Sequence, residues 1–235
     1  MIEDKSIAVI GLGYVGLPLA IALANHYRLT GYDINAERIA ELKSGKDRTR
    51  EVETERLCST QVKFTHDDAQ IVGHDIYIVT VPTPVDGQNV PDLGAVRAAS
   101  RLVGRVIAKG AIVVYESTVY PGVTEDVCGP EIEAESGLVC GIDFFLGYSP
   151  ERINPGDRVH TVDKITKVLA GQTETVTTIL SEIYSRLTSG GVFVARDIKT
   201  AEAAKVIENA QRDINIAFVN EVATIFQKMG LSVHD

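Results

Sequence analysis

Tryptophan is missing from the 235 residues, and positive charge is in deficit: 23 Lys and Arg stand against 32 Asp and Glu, for a formal net charge of −9. An acidic chain repels phosphodiester backbones and anionic lipid, so neither nucleic acid nor a membrane surface is an expected partner. Cysteine is scarce as well. Cys58, Cys128 and Cys140 are odd in number and form no C-x-x-C pair, which argues against a disulfide framework or thiolate metal cage and suits a reducing, cytoplasmic setting. The five histidines are scattered without ligand spacing, so no metal site is expected. No apolar run reaches the roughly 18 residues of a membrane span. The start, Met1-Ile2-Glu3-Asp4-Lys5, is acidic and leads straight into a β-branched run, unlike an export signal. Internal repeats and low-complexity tracts are also lacking.

Against these absences stands one stretch with a strong pattern. Ser6-Ile7-Ala8-Val9-Ile10 reads as a strand, Gly11-Leu12-Gly13-Tyr14-Val15-Gly16 breaks it with the spacing G-x-G-x-x-G, and an alanine-rich apolar helix follows. Strand, turn and helix in that order make a dinucleotide fingerprint. Gly11 permits the tight turn, Gly13 lets backbone approach a pyrophosphate, and Gly16 lets the helix lie close on its strand. A second strand, Leu29 to Tyr32, ends in Asp33 about twenty residues on. A carboxylate at that position accepts hydrogen bonds from ribose hydroxyls and repels a 2′-phosphate, which predicts NAD over NADP as the cofactor.

Further along, strands are expected at 62–65, 76–81, 111–115, 143–147, 165–170 and 192–195. Helices are expected at 35–44, 93–108 with Asp92 as cap, 121–136 and 173–187. Strands alternating with helices predict an α/β fold, a doubly wound parallel sheet of the Rossmann-like type over residues 1–197. The segment Arg152 to Asp163 reads as a lid or phosphate loop. Residues 198–235 form a second unit: one long helix from about Thr200 to Met229, about 45 Å at 1.5 Å per residue. Its apolar residues, among them Val206, Ile207, Ile214, Ile216, Phe218, Val219, Val222, Ile225 and Phe226, occupy more than one face. Such a helix needs two partners, one of them this domain and the other a further domain or a second subunit, so a homodimer through the helix is expected.

In an open parallel sheet, ligands sit beyond the carboxyl ends of the strands. Gly11, Asp33, the Val81-Pro82-Thr83-Pro84 loop, Ser117-Thr118 and Pro150-Glu151 all follow strands and are expected at one edge. Lys205 and Asn209 are four apart, so they project from one helix face about a turn apart. An ammonium and an amide stabilise oxyanion character at a carbon losing hydride. From spacing alone, a solvated face flanked by Glu202 and Glu208 fits the pair equally well. Thr118 could equally cap a turn, and Glu151 could be a surface carboxylate paired with Arg152.

Five motifs, in order along the chain, carry a resemblance: Gly11 to Gly16, Val81 to Pro84, Glu116-Ser117-Thr118-Val119-Tyr120-Pro121-Gly122, Ser149-Pro150-Glu151-Arg152-Ile153-Asn154-Pro155-Gly156-Asp157, and Ala203-Ala204-Lys205-Val206-Ile207-Glu208-Asn209. Together they closely resemble the UDP-glucose/GDP-mannose dehydrogenase family. The S-P-E-R-I-N-P-G-D form is most similar to members that oxidise UDP-N-acetylhexosamines in surface polysaccharide synthesis. The resemblance implies that two NAD oxidise the C6 alcohol of a UDP-sugar, through an aldehyde held on a cysteine, to a carboxylate. It implies a cofactor set of Gly11, Gly13, Tyr14, Val15, Gly16, Asp33, Arg38, Val81, Pro82, Thr83, Ser117 and Thr118. It further implies that Thr118 and Glu151 hold water and relay protons, that Lys205 and Asn209 stabilise oxyanions, and that Glu151, Arg152, Ile153, Asn154, Lys205 and Asn209 meet substrate.

Two departures qualify it. Pro155 stands where UDP-glucose members carry a second glutamate, which fits a different sugar. The family's nucleophilic cysteine lies in a G-G-x-C motif, and none occurs here, so the chain is expected to be the cofactor domain and central helix of a longer enzyme. Short-chain epimerases are set aside because no tyrosine is followed four residues on by lysine. The β-hydroxyacid and 6-phosphogluconate dehydrogenases, which also carry K-x-x-x-N on a helix, and a non-catalytic NAD-binding module remain the alternatives.

Overall fold

A computed structural model describes residues 4–151 and 166–233. The elements run β1 (Ser6–Ile10), α1 (Gly16–Ala24), β2 (Arg28–Tyr32), α2 (Ala36–Lys43), α3 (Thr54–Ser59), β3 (Lys63–Thr65), β4 (Ile76–Val79), α4 (Gly94–Val106), β5 (Ile112–Tyr115), α5 (Gly129–Ser136), β6 (Phe145–Tyr148), β7 (Lys167–Gly171), α6 (Glu174–Ser185), β8 (Val192–Val194) and α7 (Ile198–Lys228). A 3₁₀ turn, Asp68–Ile71, precedes β4, and a π-helical turn, Val123–Cys128, precedes α5.

The strands form one sheet in the order β3-β2-β1-β4-β5-β6-β7-β8. Its middle strands are buried on both faces, so they read as unbroken apolar runs. Their alternate residues divide cleanly. Ile7, Val9, Ile76, Ile78, Ile112 and Val114 point into one core with α1, α2 and α6. Ala8, Ile10, Tyr77, Val79, Val113 and Tyr115 point into the other with α4, α5 and the start of α7. The period of two thus converts directly into two helix layers, one on each face of the sheet. The doubly wound α/β architecture followed by a long helix is as the sequence predicts.

Three local expectations need correction. The sheet is mixed: β1 to β6 are parallel, but β7 runs antiparallel to β6, with β8 parallel to β7. The helix expected from Pro121 is two pieces, the π turn and α5, joined with Pro130 in the first turn of α5. At α4, Leu93 is the capping residue, and Asp92 reaches past it to accept from the Gly94 N–H at 2.8 Å.

The fourth correction concerns α7, 31 residues capped by Asp197, whose carboxylate accepts from Thr200 N at 2.7 Å. The expectation that this domain covers one of its apolar faces holds for only two turns. Ile198, Ala201, Glu202 and Lys205 are buried. Beyond them the rod leaves the sheet, and Ile207, Ile214, Ile216, Phe218, Val219 and Ile225 are all more than half exposed. The sequence shows which residues are apolar, but coverage depends on where the sheet stops beneath them.

Candidate functional site

Strand order reverses between β1 and β4, and the crevice beyond their carboxyl ends is where open α/β sheets take ligands. A cleft of ≈ 400 Å³ lies there, lined by Gly11, Gly13, Tyr14, Val15, Asp33, Thr80, Val81, Pro82, Thr83, Glu116, Ser117, Thr118 and Glu151, and by Lys205, Asn209 and Arg212 from α7.

The three glycines stand in different surroundings. Gly11 sits at φ 94°, a conformation L side chains rarely adopt. At Gly16 a Cβ would lie 1.9 Å from the Gly11 carbonyl oxygen and 2.3 Å from Thr80 Oγ1, so only glycine lets α1 approach the turn this closely. Thr80 Oγ1 donates to that same carbonyl at 2.6 Å and locks the turn against β4. Around Gly13 the space is open, and a methyl added there would have nothing within 4 Å. No side chain caps the first turn of α1, which leaves the positive end of its dipole available to an anion. These features fit a pyrophosphate lying over the turn.

Asp33 closes the far end of the turn. Its Oδ2 accepts from Leu12 N at 2.8 Å and its Oδ1 from Asn35 N at 2.9 Å, so the carboxylate is fixed at the cleft wall by backbone. Arg38 is buried behind the turn and does not line the cleft. Its Nε donates to the Leu12 carbonyl at 2.9 Å, and its Nη2 pairs with Asp47 at 2.7 Å. It therefore braces the glycine turn from beneath. Asp47 also accepts from Thr49 Oγ1, Thr49 N, Glu51 N and Val52 N. Burial pushes its carboxyl up, but the bonds from Thr49, Arg38 and backbone outweigh burial, and the net direction is down.

The loops after β4 and β5 are knitted together. Ser117 Oγ donates to the Val81 carbonyl and Thr83 Oγ1 to the Thr118 carbonyl, each at 2.6 Å. Just past them, the wholly buried Glu202 of α7 accepts from Gly122 N at 2.5 Å and from Thr124 N at 2.9 Å. This clasp fixes α7 to the Pro121-Gly122 turn. Lys205 is one turn further along, and the same face brings Asn209 and Arg212 over the cleft.

Beneath Glu151 lies a buried charge cluster. Lys167 Nζ donates to Glu151 Oε2 and Glu116 Oε2, both at 3.0 Å, and the Tyr184 hydroxyl donates to Glu116 Oε1 at 2.5 Å. The Lys167 side chain is 2 % exposed. Burial alone would push its ammonium down, but Glu116 and Glu151 outweigh it and hold the group charged, above the usual lysine range. Burial pushes the Glu116 carboxyl up.

The structure thus brings Thr118, Glu151, Lys205 and Asn209 to one cleft with Gly11, Gly13, Tyr14, Val15, Asp33, Val81, Pro82, Thr83 and Ser117. Gly16 and Arg38 lie behind the turn. Arg152, Ile153, Asn154 and the rest of the expected lid fall outside the described residues. Sequence reasoning misses Thr80, Glu116, Lys167 and Arg212. Arg212 has a legible signal, three residues after Asn209 and seven after Lys205 on one helical face. Glu116 and Lys167 have none, being 51 residues apart. None of the cysteines lines the cleft. Burial pushes the Cys128 thiol up to about 11 and raises Cys140 as well, the opposite of nucleophile activation. No helix among the described residues is long and apolar enough to cross a membrane.

Comparison with known proteins agrees with this geometry. The chain is 53% identical to Protein CapL of Staphylococcus aureus over 232 residues, which are 99% of this chain and 55% of that protein. It is 49% identical to UDP-N-acetyl-D-glucosamine 6-dehydrogenase of Pseudomonas aeruginosa, over 97% of this chain and 54% of that protein. Among solved structures, the UDP-D-ManNAc dehydrogenase of Pyrococcus horikoshii superposes with a TM-score of 0.89 at 35% identity, covering 97% of this chain and 56% of that one. The chain spans about half the length of the curated relatives it matches. Residues 5–188 match the NAD-binding domain of the UDP-glucose/GDP-mannose dehydrogenase family and residues 199–235 its central domain. With its glycine turn, strand-end carboxylate and helix-borne Lys205 around one cleft, the chain belongs to the UDP-glucose/GDP-mannose dehydrogenase family, and NAD is its cofactor.

Proposed function

We propose that this chain is the cofactor-binding part, residues 1–197, and the central helix, 198–235, of an NAD-dependent dehydrogenase that oxidises the C6 alcohol of a UDP-N-acetylhexosamine to the uronic acid for a surface polysaccharide. The observation that carries the reading is the convergence of Lys205 and Asn209 on a cleft walled by the glycine turn, Thr118 and Glu151. The identity to a UDP-N-acetyl-D-glucosamine 6-dehydrogenase supports the choice of sugar class. Bound NAD supplies the acceptor for the hydride that leaves C6. Lys205 and Asn209 donate to the sugar oxygen and stabilise its developing negative charge, which hydrogen-bond donors do best in a partly desolvated cleft. Thr118 and Glu151 hold water there, with the Thr118 hydroxyl relaying protons and the Glu151 carboxylate accepting them. A thiol that carries the aldehyde is assigned to none of Cys58, Cys128 or Cys140.

The exposed apolar residues of α7 fit a second copy of the chain packed along the helix, and three unpaired thiols fit a cytoplasmic location. The test uses the full-length protein with UDP-N-acetylglucosamine, UDP-N-acetylgalactosamine and UDP-N-acetylmannosamine. The expected result is two NADH formed per sugar consumed and loss of turnover after thiol alkylation. One NADH per substrate with no thiol sensitivity would instead favour a simple hydroxyacid-type dehydrogenase, and no turnover at all a non-catalytic module.

A further inference from the structure

We infer that Lys167, through the reversal of β7, is a positioning residue for Glu151, fixing the Glu151 carboxylate at the cleft. The inference rests on the dehydrogenase reading above and deepens it.

Strand direction decides where Lys167 lies. In a sheet parallel throughout, the first residue of a strand lies at the edge away from the cleft. Because β7 runs against β6, its first residue comes to the cleft edge instead. The register pairs Gly147 with Gly171 and Tyr148 with Ala170. Continued three residues further, it sets Lys167 directly opposite Glu151. The chain thus delivers an ammonium to the one place where it meets carboxylates following both β5 and β6, at 3.0 Å from each. Lys167 is itself held on its other sides. Glu116 anchors the ammonium, the Tyr184 hydroxyl fixes Glu116, and the Tyr184 ring lies 5.5 Å from Nζ. A buried, doubly paired ammonium has little rotational freedom, so the Glu151 oxygen it binds has a defined position.

The geometry distinguishes this role from simple charge neutralisation. Glu116 is wholly buried at the cleft floor, whereas the Glu151 side chain, 12 % exposed, reaches the cleft wall. If Lys167 merely offset the Glu116 charge, removing both charges together would be harmless.

The experiment measures kcat and the KM for NAD in the full-length protein for Lys167→Met, Lys167→Arg and the double variant Glu116→Gln with Lys167→Met, with circular dichroism and melting as controls for folding. Misplacing a reacting group by about 1 Å costs on the order of 10²-fold. Lys167→Met is therefore expected to lower kcat about 10- to 100-fold with the KM for NAD changed less than about twofold. Lys167→Arg, which keeps two donors, should recover most of the loss. The double variant, which removes the buried Glu116 charge together with that of Lys167 and leaves only the Glu151 carboxylate at the cleft wall without its lysine, should stay as slow as Lys167→Met, with the folding controls separating a slow enzyme from an unfolded one. Recovery of the double variant to parental kcat, or an unchanged kcat in folded Lys167→Met, would overturn the inference. An inactive parental protein would overturn the dehydrogenase reading itself.

Discussion

Alanine placed at Gly13 and at Gly16, one at a time, should separate stability from cofactor binding within a single turn. At Gly16 the new methyl would meet the Gly11 carbonyl oxygen at 1.9 Å, about 1.5 Å short of ordinary contact. Helix propensity favours alanine by up to about 1 kcal/mol. Overpacking against backbone costs about 1–3 kcal/mol or more, and the methyl, 2.3 Å from Thr80 Oγ1 as well, would wedge into the Thr80 bond to Gly11, worth about 1 kcal/mol. The clash therefore wins, and Gly16→Ala should lose about 2–3 kcal/mol, or roughly 4–12 °C in Tm for a chain of this size. Gly13 is the opposite case. Its methyl would touch no protein atom, so stability should change by less than about 0.5 kcal/mol. The methyl would occupy the space a pyrophosphate needs, and NAD affinity should fall at least about tenfold, or 1.4 kcal/mol. Urea denaturation and titration calorimetry with NAD measure the two quantities. Gly13→Ala binding NAD within twofold of the parent, or Gly16→Ala unfolding at the parental midpoint, would refute the reasoning.

Other outcomes follow from the same geometry. Asp33→Ala removes both the carboxylate proposed to accept from the ribose and the support of Leu12 N, so calorimetry should find weaker NAD binding; unchanged affinity would take Asp33 out of the site. Asp47 has a depressed carboxyl in the folded chain, so its contribution is present above the ordinary carboxylate range and lost as pH falls through the lower folded value. Asp47→Asn should cost about 3 kcal/mol at pH 7 and flatten the loss of stability below pH 4, as read from urea midpoints across pH. Lys205→Met in the full-length protein should lower kcat about 10²- to 10³-fold, with NAD binding largely kept. Light scattering should find a dimer, and Ile214→Glu with Phe218→Glu should return it to a monomer; a monomeric parent would refute the helix interface.

The fold was legible wherever information is local. The G-x-G-x-x-G turn, Asp33 and the β-branched runs each encode their element within a few residues, and strand-end positions then predict the cleft by topology alone. Lys205 and Asn209 are legible as a pair because helical spacing is fixed, though their burial state is not. What escaped depends on chain direction and on distant partners. Nothing in Lys167-Val168-Leu169-Ala170-Gly171 distinguishes a parallel from an antiparallel strand, since side-chain alternation is the same in both. Without that direction, Lys167 reads as an ordinary charge at a strand start, and Glu116 as a residue with no partner. Arg38 sits on the expected helix, but that its guanidinium reaches back to the Leu12 carbonyl follows from the close packing of β1, β2 and α2.

The clasp made by Glu202 gives α7 the mechanics of a lever. Ile198 and Ala201 lie buried on one side of the pivot, and on the other the rod passes over the cleft at Lys205, Asn209 and Arg212 before carrying apolar side chains into open space. The pivot is tied to backbone N–H groups at Gly122 and Thr124, a few residues after Thr118. Lys205 is three residues from it and Arg212 ten, so at about 1.5 Å per residue a given tilt of the rod would move Arg212 about three times as far as Lys205.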